Sequence, residues 1–275
     1  MAVEIAMLHD VAKCSACRGC SVACKQWKNL PADVTPFEGE YQSHKDLSPK
    51  TYTLIRMNET KDENGKFRWD FLKFQCMHCG IAGCVLGCPE HALEKLPNGI
   101  VAHYNDLCVG CGYCEINCTF GVPHVDPETK KSTKCNLCID RVEKYIESGF
   151  DRQYYPSCAL TCTADAILFG TREEMVKIAN ERLEVLKKTY PDACTYNVET
   201  DNSIKGGAMM YVLPQKPSAY GLPDEPKLAD SLAVWKDGIQ PAGKVLIGAA
   251  AVAVAGAAIV NTVTGGGKHE GDDHE

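Results

Sequence analysis

Alternation of apolar and polar residues predicts that much of the chain forms short strands. Residues 1–10 alternate in this way, which predicts an opening strand. Residues 51–57 and 67–74 also alternate, and Asn64 with Gly65 between them is a strong signal for a tight hairpin turn. The sequence therefore predicts an opening strand followed by a long β-hairpin.

Further strands are predicted later in the chain. Residues 92–96 and 100–104 flank another Asn-Gly pair, which predicts a second, shorter hairpin. Residues 166–170 and 208–213 are short apolar runs, and each is predicted to add a single strand.

Helical periodicity is clearest after Thr171. Thr171 and Glu174 have the spacing of a capping box, and apolar residues then recur at helical spacing until Pro191. We expect this apolar stripe to pack on the rest of the domain. A shorter helix is predicted over residues 140–147. Residues 214–243 contain five prolines, which predicts an extended arm rather than a separate domain.

Cysteine dominates the composition, with 17 in 275 residues. Sixteen fall into four groups of four along the chain, and Cys194 is left over as a bystander thiol outside every group. The groups are Cys14, Cys17, Cys20 and Cys24; Cys76, Cys79, Cys84 and Cys88; Cys108, Cys111, Cys114 and Cys118; and Cys135, Cys138, Cys158 and Cys162.

Three kinds of site use cysteine this heavily. Disulfide frameworks belong to small secreted domains, and residues 1–10 lack the basic start and apolar run of a secretory signal. Structural zinc usually takes paired C-x2-C knuckles a dozen or more residues apart, whereas most of these cysteines form unbroken runs of four. Such runs are typical of iron–sulfur ligands, so we predict iron–sulfur clusters. The formal net charge of −7 gives nucleic-acid binding no electrostatic support.

The second and third groups, with Pro89 after Cys88 and a short predicted hairpin between them, closely resemble a bacterial two-cluster ferredoxin. In that family three cysteines of a group hold one cluster and the fourth ligates the other. The resemblance implies four [4Fe–4S] clusters, with the first and fourth groups paired around the inner two. The implied ligand sets are set A, Cys14, Cys17, Cys20 and Cys162; set B, Cys24, Cys135, Cys138 and Cys158; set C, Cys76, Cys79, Cys84 and Cys118; and set D, Cys88, Cys108, Cys111 and Cys114.

Residues 245–263 carry no charged side chain and come close to the length of about 20 apolar residues that one membrane-spanning helix needs. Ala249, Ala253 and Ala257 form a ridge of small residues, which would let this helix pack closely on helices of a partner in the bilayer. A buried soluble helix and a flexible Ala-rich tail are the alternatives. We expect a membrane span, because Lys244 and a polar tail flank the run.

These elements predict an α+β fold with two interlocked ferredoxin-like [4Fe–4S] domains, a C-terminal extended arm and one transmembrane helix. The expected boundaries are 1–75 with 125–170 for the outer unit, 76–124 for the inner unit, 171–243 for the packing helix and arm, 244–264 for the transmembrane helix and 265–275 for a polar tail.

The sequence contains no P-loop, no Rossmann glycine fingerprint and no recognisable nucleophile arrangement, so no catalytic residue is predicted. Clusters that each have four cysteine ligands leave no iron free for substrate. We therefore expect electron transfer along a row of clusters, with substrate converted by another subunit. A scaffold whose clusters or zinc ions only hold the fold together is the alternative of a different class.

The order of the four groups, the wide gap inside the last one and the terminal apolar run resemble the iron–sulfur subunit of membrane-bound molybdopterin oxidoreductases. Residues 14–31, 134–142 and 182–191 resemble the beta subunit of formate dehydrogenases more closely. One departure is Thr119 after Cys118, where that family commonly has proline.

The resemblance implies a complex. A catalytic subunit with a molybdenum or tungsten molybdopterin would oxidise formate, and this chain would pass the electrons to a membrane cytochrome b or other quinone-reactive subunit. The alternative is the same role with a catalytic subunit for sulfur compounds, nitrate or dimethyl sulfoxide. Residues 245–263 would contact the lipid bilayer.

Two signals for membrane sidedness disagree. Lys227, Lys236 and Lys244 precede the predicted span and Lys268 follows it, which favours a cytoplasmic cluster domain by the positive-inside rule. The family resemblance implies export with a partner that carries the signal. Because a folded, co-exported domain is not subject to a rule for short loops, we expect the extracytoplasmic (periplasmic) face.

Overall fold

The computed structural model describes residues 2–37, 39–61 and 65–229, together with Leu232 and Ala253. Residues 1–229 make up one compact unit and residues 230–275 a second. Across these described ranges, no helix combines the length and the apolar character needed to cross a bilayer. Apart from Ala253, the span predicted at 244–264 lies outside the described residues.

Short strands outnumber long helices in the described part of the chain. Its strands are β1 (Ile5–Asp10), β2 (Thr53–Lys61), β3 (Phe67–Gln75), β4 (Leu93–Lys95), β5 (Val101–His103), β6 (His124–Val125), β7 (Ser132–Thr133), β8 (Ile167–Thr171), β9 (Cys194–Tyr196) and β10 (Met209–Leu213). Its α-helices are α1 (Gly19–Trp27), α2 (Gly83–Leu86), α3 (Tyr113–Ile116), α4 (Ile139–Glu147), α5 (Ser157–Leu160) and α6 (Arg172–Lys187).

A four-stranded sheet in the order β8-β1-β10-β9 forms the frame of the unit. The opening strand β1 lies between β8, to which it is antiparallel, and β10, to which it is parallel. His9 near the end of β1 pairs with Ile167 at the start of β8. The segments that carry Cys14 and Cys162 therefore meet at one end of this sheet, although they are distant in sequence.

The side chains of β1 alternate between two covered faces of the sheet. Ala6 and Leu8 pack with Met175 of α6, whereas Ile5 and Met7 belong to the larger core that contains many of the cysteines. All six residues of β1 are buried as a result. The stripe on α6 is buried as predicted, but it packs on the outer face of this sheet, and the sheet lies between α6 and that core.

Both predicted hairpins are present. β2 pairs with β3 in antiparallel register along its whole length, and β4 pairs with β5. Gly99 in the second turn has φ +93°, a conformation that glycine adopts at little cost, and its N–H donates to the carbonyl of Leu96 at 3.0 Å. Gly65 of the first turn has φ +75°, while Asn64 lies outside the described residues.

The N-terminus of α6 confirms the predicted cap. The hydroxyl of Thr171 accepts a hydrogen bond from the N–H of Glu174 at 3.3 Å, which satisfies one of the free N–H groups of the first turn. The helix ends at Lys187, before Pro191. The predicted helix at 140–147 is present as α4, and the strands predicted at 166–170 and 208–213 are present as β8 and β10.

Residues 214–229 run along the surface of the unit and are held by specific contacts. Tyr220 and Leu222 are buried in the main core. The hydroxyl of Tyr196 donates to the carbonyl of Pro223 at 2.9 Å. The hydroxyl of Thr119 donates to the carbonyl of Lys227 at 2.5 Å, so this departure from the family pattern has a structural role here.

Candidate metal-cluster sites

All seventeen cysteines are free thiols, and none takes part in a disulfide. Most of them are buried or half-buried, and Cys17 and Cys111 are exposed. The disulfide alternative therefore has no support in the structure.

The four cysteines of set A line one small pocket. Cys14 follows β1, Cys17 precedes α1, Cys20 lies in the first turn of α1, and Cys162 follows α5. Ala16 and Arg18 between these cysteines have positive φ angles, +55° and +61°. Non-glycine residues in this strained region cluster at binding loops, and here they curl the loop around the pocket.

The four cysteines of set D line a second small pocket. Its other lining residues include the apolar side chains of Ala92, Leu93 and Val109. Gly110 has φ +72°, and a Cβ atom there would lie 2.1 Å from the carbonyl oxygen of Lys130. Only glycine fits at this turn, so the loop that carries set D is held close to its neighbour.

The cysteines of sets B and C are brought together in the same manner, as their mutual effects on ionisation show. Burial raises the pKa of Cys24, and the thiols of Cys135, Cys158 and Cys138 raise it further. Such effects require thiols that are close in space, so the structure gathers the members of set B.

The pKa values of the thiols in set C show the same mutual effect. Burial raises the pKa of Cys79 well above its usual value, and Cys76, Cys118 and Cys84 add to this effect. The members of set C come from the second and third groups, joined across the β4-β5 hairpin. Each set therefore combines three cysteines of one group with one cysteine of another group.

Interactions between sets define their order. Burial raises the pKa of Cys158 in set B to about 11, and Cys20 of set A is among the thiols that add to this effect. Cys76 of set C acts on Cys135 of set B, and Cys114 of set D acts on Cys84 of set C. The sets therefore follow one another as A, B, C and D.

The ends of this order lie near the surface. The exposed Cys17 belongs to set A and the exposed Cys111 to set D, whereas all four members of set B are buried. A row with two accessible ends and a buried middle is suited to moving charge through the protein rather than to binding a substrate.

The chemistry of the sets fits a cluster better than a single ion. Thiolates are soft ligands that favour iron–sulfur clusters, zinc or copper(I). A tetrahedral zinc site draws its sulfurs to about 2.3 Å from one ion, whereas runs of closely spaced cysteines are the ligand pattern of iron–sulfur clusters. The four thiols around each pocket of sets A and D suit a group that contains several iron atoms.

The raised pKa values indicate that these thiols need a bound cation before they can act as thiolate ligands. In an apolar interior a thiolate is costly unless a positive charge compensates it, so these thiols on their own stay protonated. Iron supplies that charge when a cluster is bound, and the thiolates then become its ligands.

Sequence reasoning missed three lysines among the cysteines: Lys73, Lys95 and Lys134. The ammonium of Lys95 donates to the carbonyl of His78 at 3.0 Å, and that of Lys134 donates to the carbonyl of Cys135 at 3.0 Å. A lysine in a strand or loop carries no local signal of burial, so only the packing reveals these three.

His78 and Cys194 each make a hydrogen bond to another part of the fold. His78 is fully buried, and its Nδ1 accepts a hydrogen bond from the N–H of Val101 at 3.0 Å, which ties set C to β5. Cys194 lies on the edge strand β9, where its thiol donates to the carbonyl of Gln215 at 3.5 Å, outside all four sets. The strand β9 was not predicted, because three residues show no periodicity.

Comparison with known proteins agrees with this geometry. Residues 13–92 and 67–149 match two families that are both described as "4Fe-4S dicluster domain". This chain is therefore a ferredoxin-like iron–sulfur protein with a mixed α/β fold.

Similar proteins identify the family within this class. The chain is 38% identical to the "Formate dehydrogenase, nitrate-inducible, iron-sulfur subunit" of Escherichia coli (strain K12), over 99% of this chain and 89% of that protein. It is 36% identical to the "Formate dehydrogenase-O iron-sulfur subunit" of the same organism, over 99% of this chain and 87% of that protein. The chain belongs to the family of formate dehydrogenase iron–sulfur subunits, and it is an electron-transfer subunit. The resemblance inferred from residues 14–31, 134–142 and 182–191 is confirmed.

Cys194 provides a test of which thiols are engaged. In folded, iron-loaded protein we expect iodoacetamide to modify Cys194 alone, because the other sixteen thiols are predicted to be cluster ligands. Burial raises the pKa of Cys194 to about 11, and the reactive thiolate fraction grows with pH below that value. The rate should therefore rise about tenfold per pH unit between pH 7 and pH 9, as measured by mass spectrometry.

The variant Cys194→Ser is the control, and it should take up no label under the same conditions. Labelling of several other cysteines in protein that retains its iron would contradict the assignment of sixteen cysteines as ligands.

Proposed function

We propose that this chain holds four [4Fe–4S] clusters, one in each of sets A, B, C and D, and passes electrons along them. The observation that carries the proposal is the order of the sets, with Cys17 at one accessible end and Cys111 at the other. Sixteen thiols in four sets, with no carboxylate or histidine in their ligand patterns, are the donors that such clusters use. The clusters would supply one-electron redox chemistry, and the protein would hold them in line and exclude water.

The pairing of strands supports the division of the chain into two interlocked units. Pairing of β1 with β8 brings the ends of the first and fourth groups together, which favours an outer unit of residues 1–75 and 125–170. The β4-β5 hairpin separates the second and third groups, which favours an inner unit of residues 76–124. Residues 171–243 would then be a packing helix and an arm.

The partners follow from the family. We propose that a catalytic subunit with a molybdenum or tungsten molybdopterin oxidises formate and delivers electrons to one end of the row. Two relatives named above are formate dehydrogenase subunits, and a third, 34% identical over 70% of this chain, is named "Formate dehydrogenase 2 subunit beta (cytochrome c-553)" in Nitratidesulfovibrio vulgaris. A membrane cytochrome b or other quinone-reactive subunit would receive the electrons.

An apolar surface beside set D is suited to one of these partners. Val109 is 62% exposed and Ile116 is 76% exposed, and Tyr113 on the same short segment is also exposed. Grouped apolar side chains on a surface mark interaction sites. A partner that covered them would approach the exposed Cys111, and electron transfer requires such close approach.

We propose that residues 244–264 form one transmembrane helix and that the cluster domain lies on the extracytoplasmic (periplasmic) face. The uncharged stretch and its polar flanks support the helix. The family resemblance, which implies export with a partner that carries the signal, supports the outer face.

Iron analysis tests the clusters. Anaerobically purified protein should contain about sixteen iron atoms per chain, from four cubanes of four irons. Cys158→Ser removes a ligand of the fully buried set B, and we expect it to lower the content to about twelve. Cys194→Ser is the matched control and should keep the wild-type content. Colourless protein with stoichiometric zinc would instead support the scaffold alternative.

Co-purification tests the catalytic partner. Purification from the native host through a tag on this chain should recover a subunit that contains molybdenum or tungsten and oxidises formate with a dye as acceptor. The untagged host, taken through the same steps, controls for carry-over. A recovered partner that acts on sulfur compounds, nitrate or dimethyl sulfoxide, without formate activity, would establish the alternative.

A pair of reporters fused after Glu275 tests sidedness. With one span and an external cluster domain, the tail is cytoplasmic. Green fluorescent protein fused there should fluoresce, and alkaline phosphatase in the same place should be inactive. The opposite pair of results would put the cluster domain in the cytoplasm and would agree with the positive-inside rule.

A further inference from the structure

Lys73 on β3 is completely buried, with 0% of its surface exposed. A buried ammonium is costly unless it is paired with a negative charge. Among the described residues, no carboxylate lies within ion-pair distance of Lys73. The charge of Lys73 therefore needs a partner that is not an acidic side chain of this part of the chain.

Hydrogen bonds fix the residue in place but leave the ammonium partly unsatisfied. The N–H of Lys73 donates to Nδ1 of His9 at 3.4 Å, and its carbonyl accepts from the hydroxyl of Tyr211 at 3.0 Å. Its ammonium donates to the amide oxygen of Gln75. An ammonium has three N–H donors, so two donors remain after the hydrogen bond to Gln75 and can interact with a further negative group.

The negative groups that face Lys73 are cysteines. Burial by itself lowers the pKa of Lys73, but the nearby sulfurs of Cys158, Cys20, Cys135 and Cys24, which become thiolates as cluster ligands, raise it above its usual value. Cys20 belongs to set A, and the other three belong to set B.

The strand register gives the same position for Lys73 by an independent route. Lys73 pairs directly with Ile55 of β2 in the antiparallel hairpin. Residues paired in this way have side chains on the same face of the sheet. Ile55 lines the pocket of set A, so the side chain of Lys73 extends from the face that covers this pocket.

We propose that Lys73 is a buried positive charge shared by the clusters of sets A and B, and that it raises the reduction potentials of both. The inference rests on the proposed function. A cluster with four thiolate ligands is negatively charged, and reduction adds a further negative charge. A fixed cation nearby therefore stabilises the reduced state more than the oxidised state.

Sets C and D provide an internal comparison. Lys95 acts on Cys79 of set C, and Lys134 acts on Cys84 of the same set. Lys73 acts instead on members of sets A and B. Removal of the Lys73 charge should change two of the four potentials and leave the other two near their original values.

The experiment is a redox titration of full-length Lys73→Met, followed by electron paramagnetic resonance, with iron content measured on the same samples. Methionine is unbranched and close to lysine in length but is uncharged. We expect full iron content and, for two clusters, about a tenfold fall in the ratio of reduced to oxidised cluster at a given potential. For a one-electron couple this is a shift of about 59 mV to more negative potential.

Two further variants make the test specific to charge. Lys73→Arg keeps the positive charge and should restore potentials close to those of the wild type. Lys177→Met removes an exposed lysine from α6, on the other side of the central sheet, and should change none of the four potentials. Unchanged potentials in iron-loaded Lys73→Met, or equal shifts of all four clusters, would overturn the proposal.

Loss of iron from Lys73→Met is also informative when Lys73→Gln, a neutral side chain that can still hydrogen bond, is measured beside it. If both neutral variants lose about eight irons while Lys73→Arg keeps them, two clusters need the charge itself. If Lys73→Arg loses them too, the role is one of packing and the proposal fails. Wild-type protein with far fewer than sixteen irons would refute the proposed function instead, so the two failures are distinguishable.

Discussion

Thiolate ligands buried in an apolar interior are the interaction on which this structure depends. Burial raises the pKa of Cys24, Cys79 and Cys158, so without a cation these groups would be neutral thiols that hold nothing together. Iron reverses this balance, because it favours the thiolate and binds several of them at once. Since each set draws cysteines from separate parts of the chain, cluster binding and folding stabilise one another.

The central sheet makes this arrangement possible. β1 is buried on both faces, with α6 packed on one and the core of many of the cysteines on the other. Its antiparallel pairing with β8 fixes where Cys14 and Cys162 meet, and its parallel pairing with β10 ties the opening of the chain to residues 209–213. The sheet is thus the rigid frame, and the cysteine loops are attached to its ends and to the hairpins.

Charge inside the core is arranged along the same row. Thiols of neighbouring sets influence one another, and lysines lie among them: Lys73 near sets A and B, and Lys95 and Lys134 near set C. Buried cations offset part of the negative charge that four closely spaced clusters would gather. Residues that are not candidate ligands therefore contribute to the charge around the four sets.

Local pattern determined much of what the sequence could predict: the two Asn-Gly hairpins, the capped helix α6 and the spacing of sixteen cysteines all depend on residues close together in the chain. Lys73 shows where such reasoning fails. In β3 the aromatic side chains of Phe67 and Trp69 are exposed, whereas the polar Lys73 and Gln75, farther along the same face of the strand, are buried. Only the tertiary structure decided this, because the strand is covered by β1, β10 and the cysteine loops, which come from distant parts of the chain. For the same reason, the sequence did not predict the insertion of β1 between β8 and β10 or the order of the four sets. Both depend on contacts between residues that are distant in the chain.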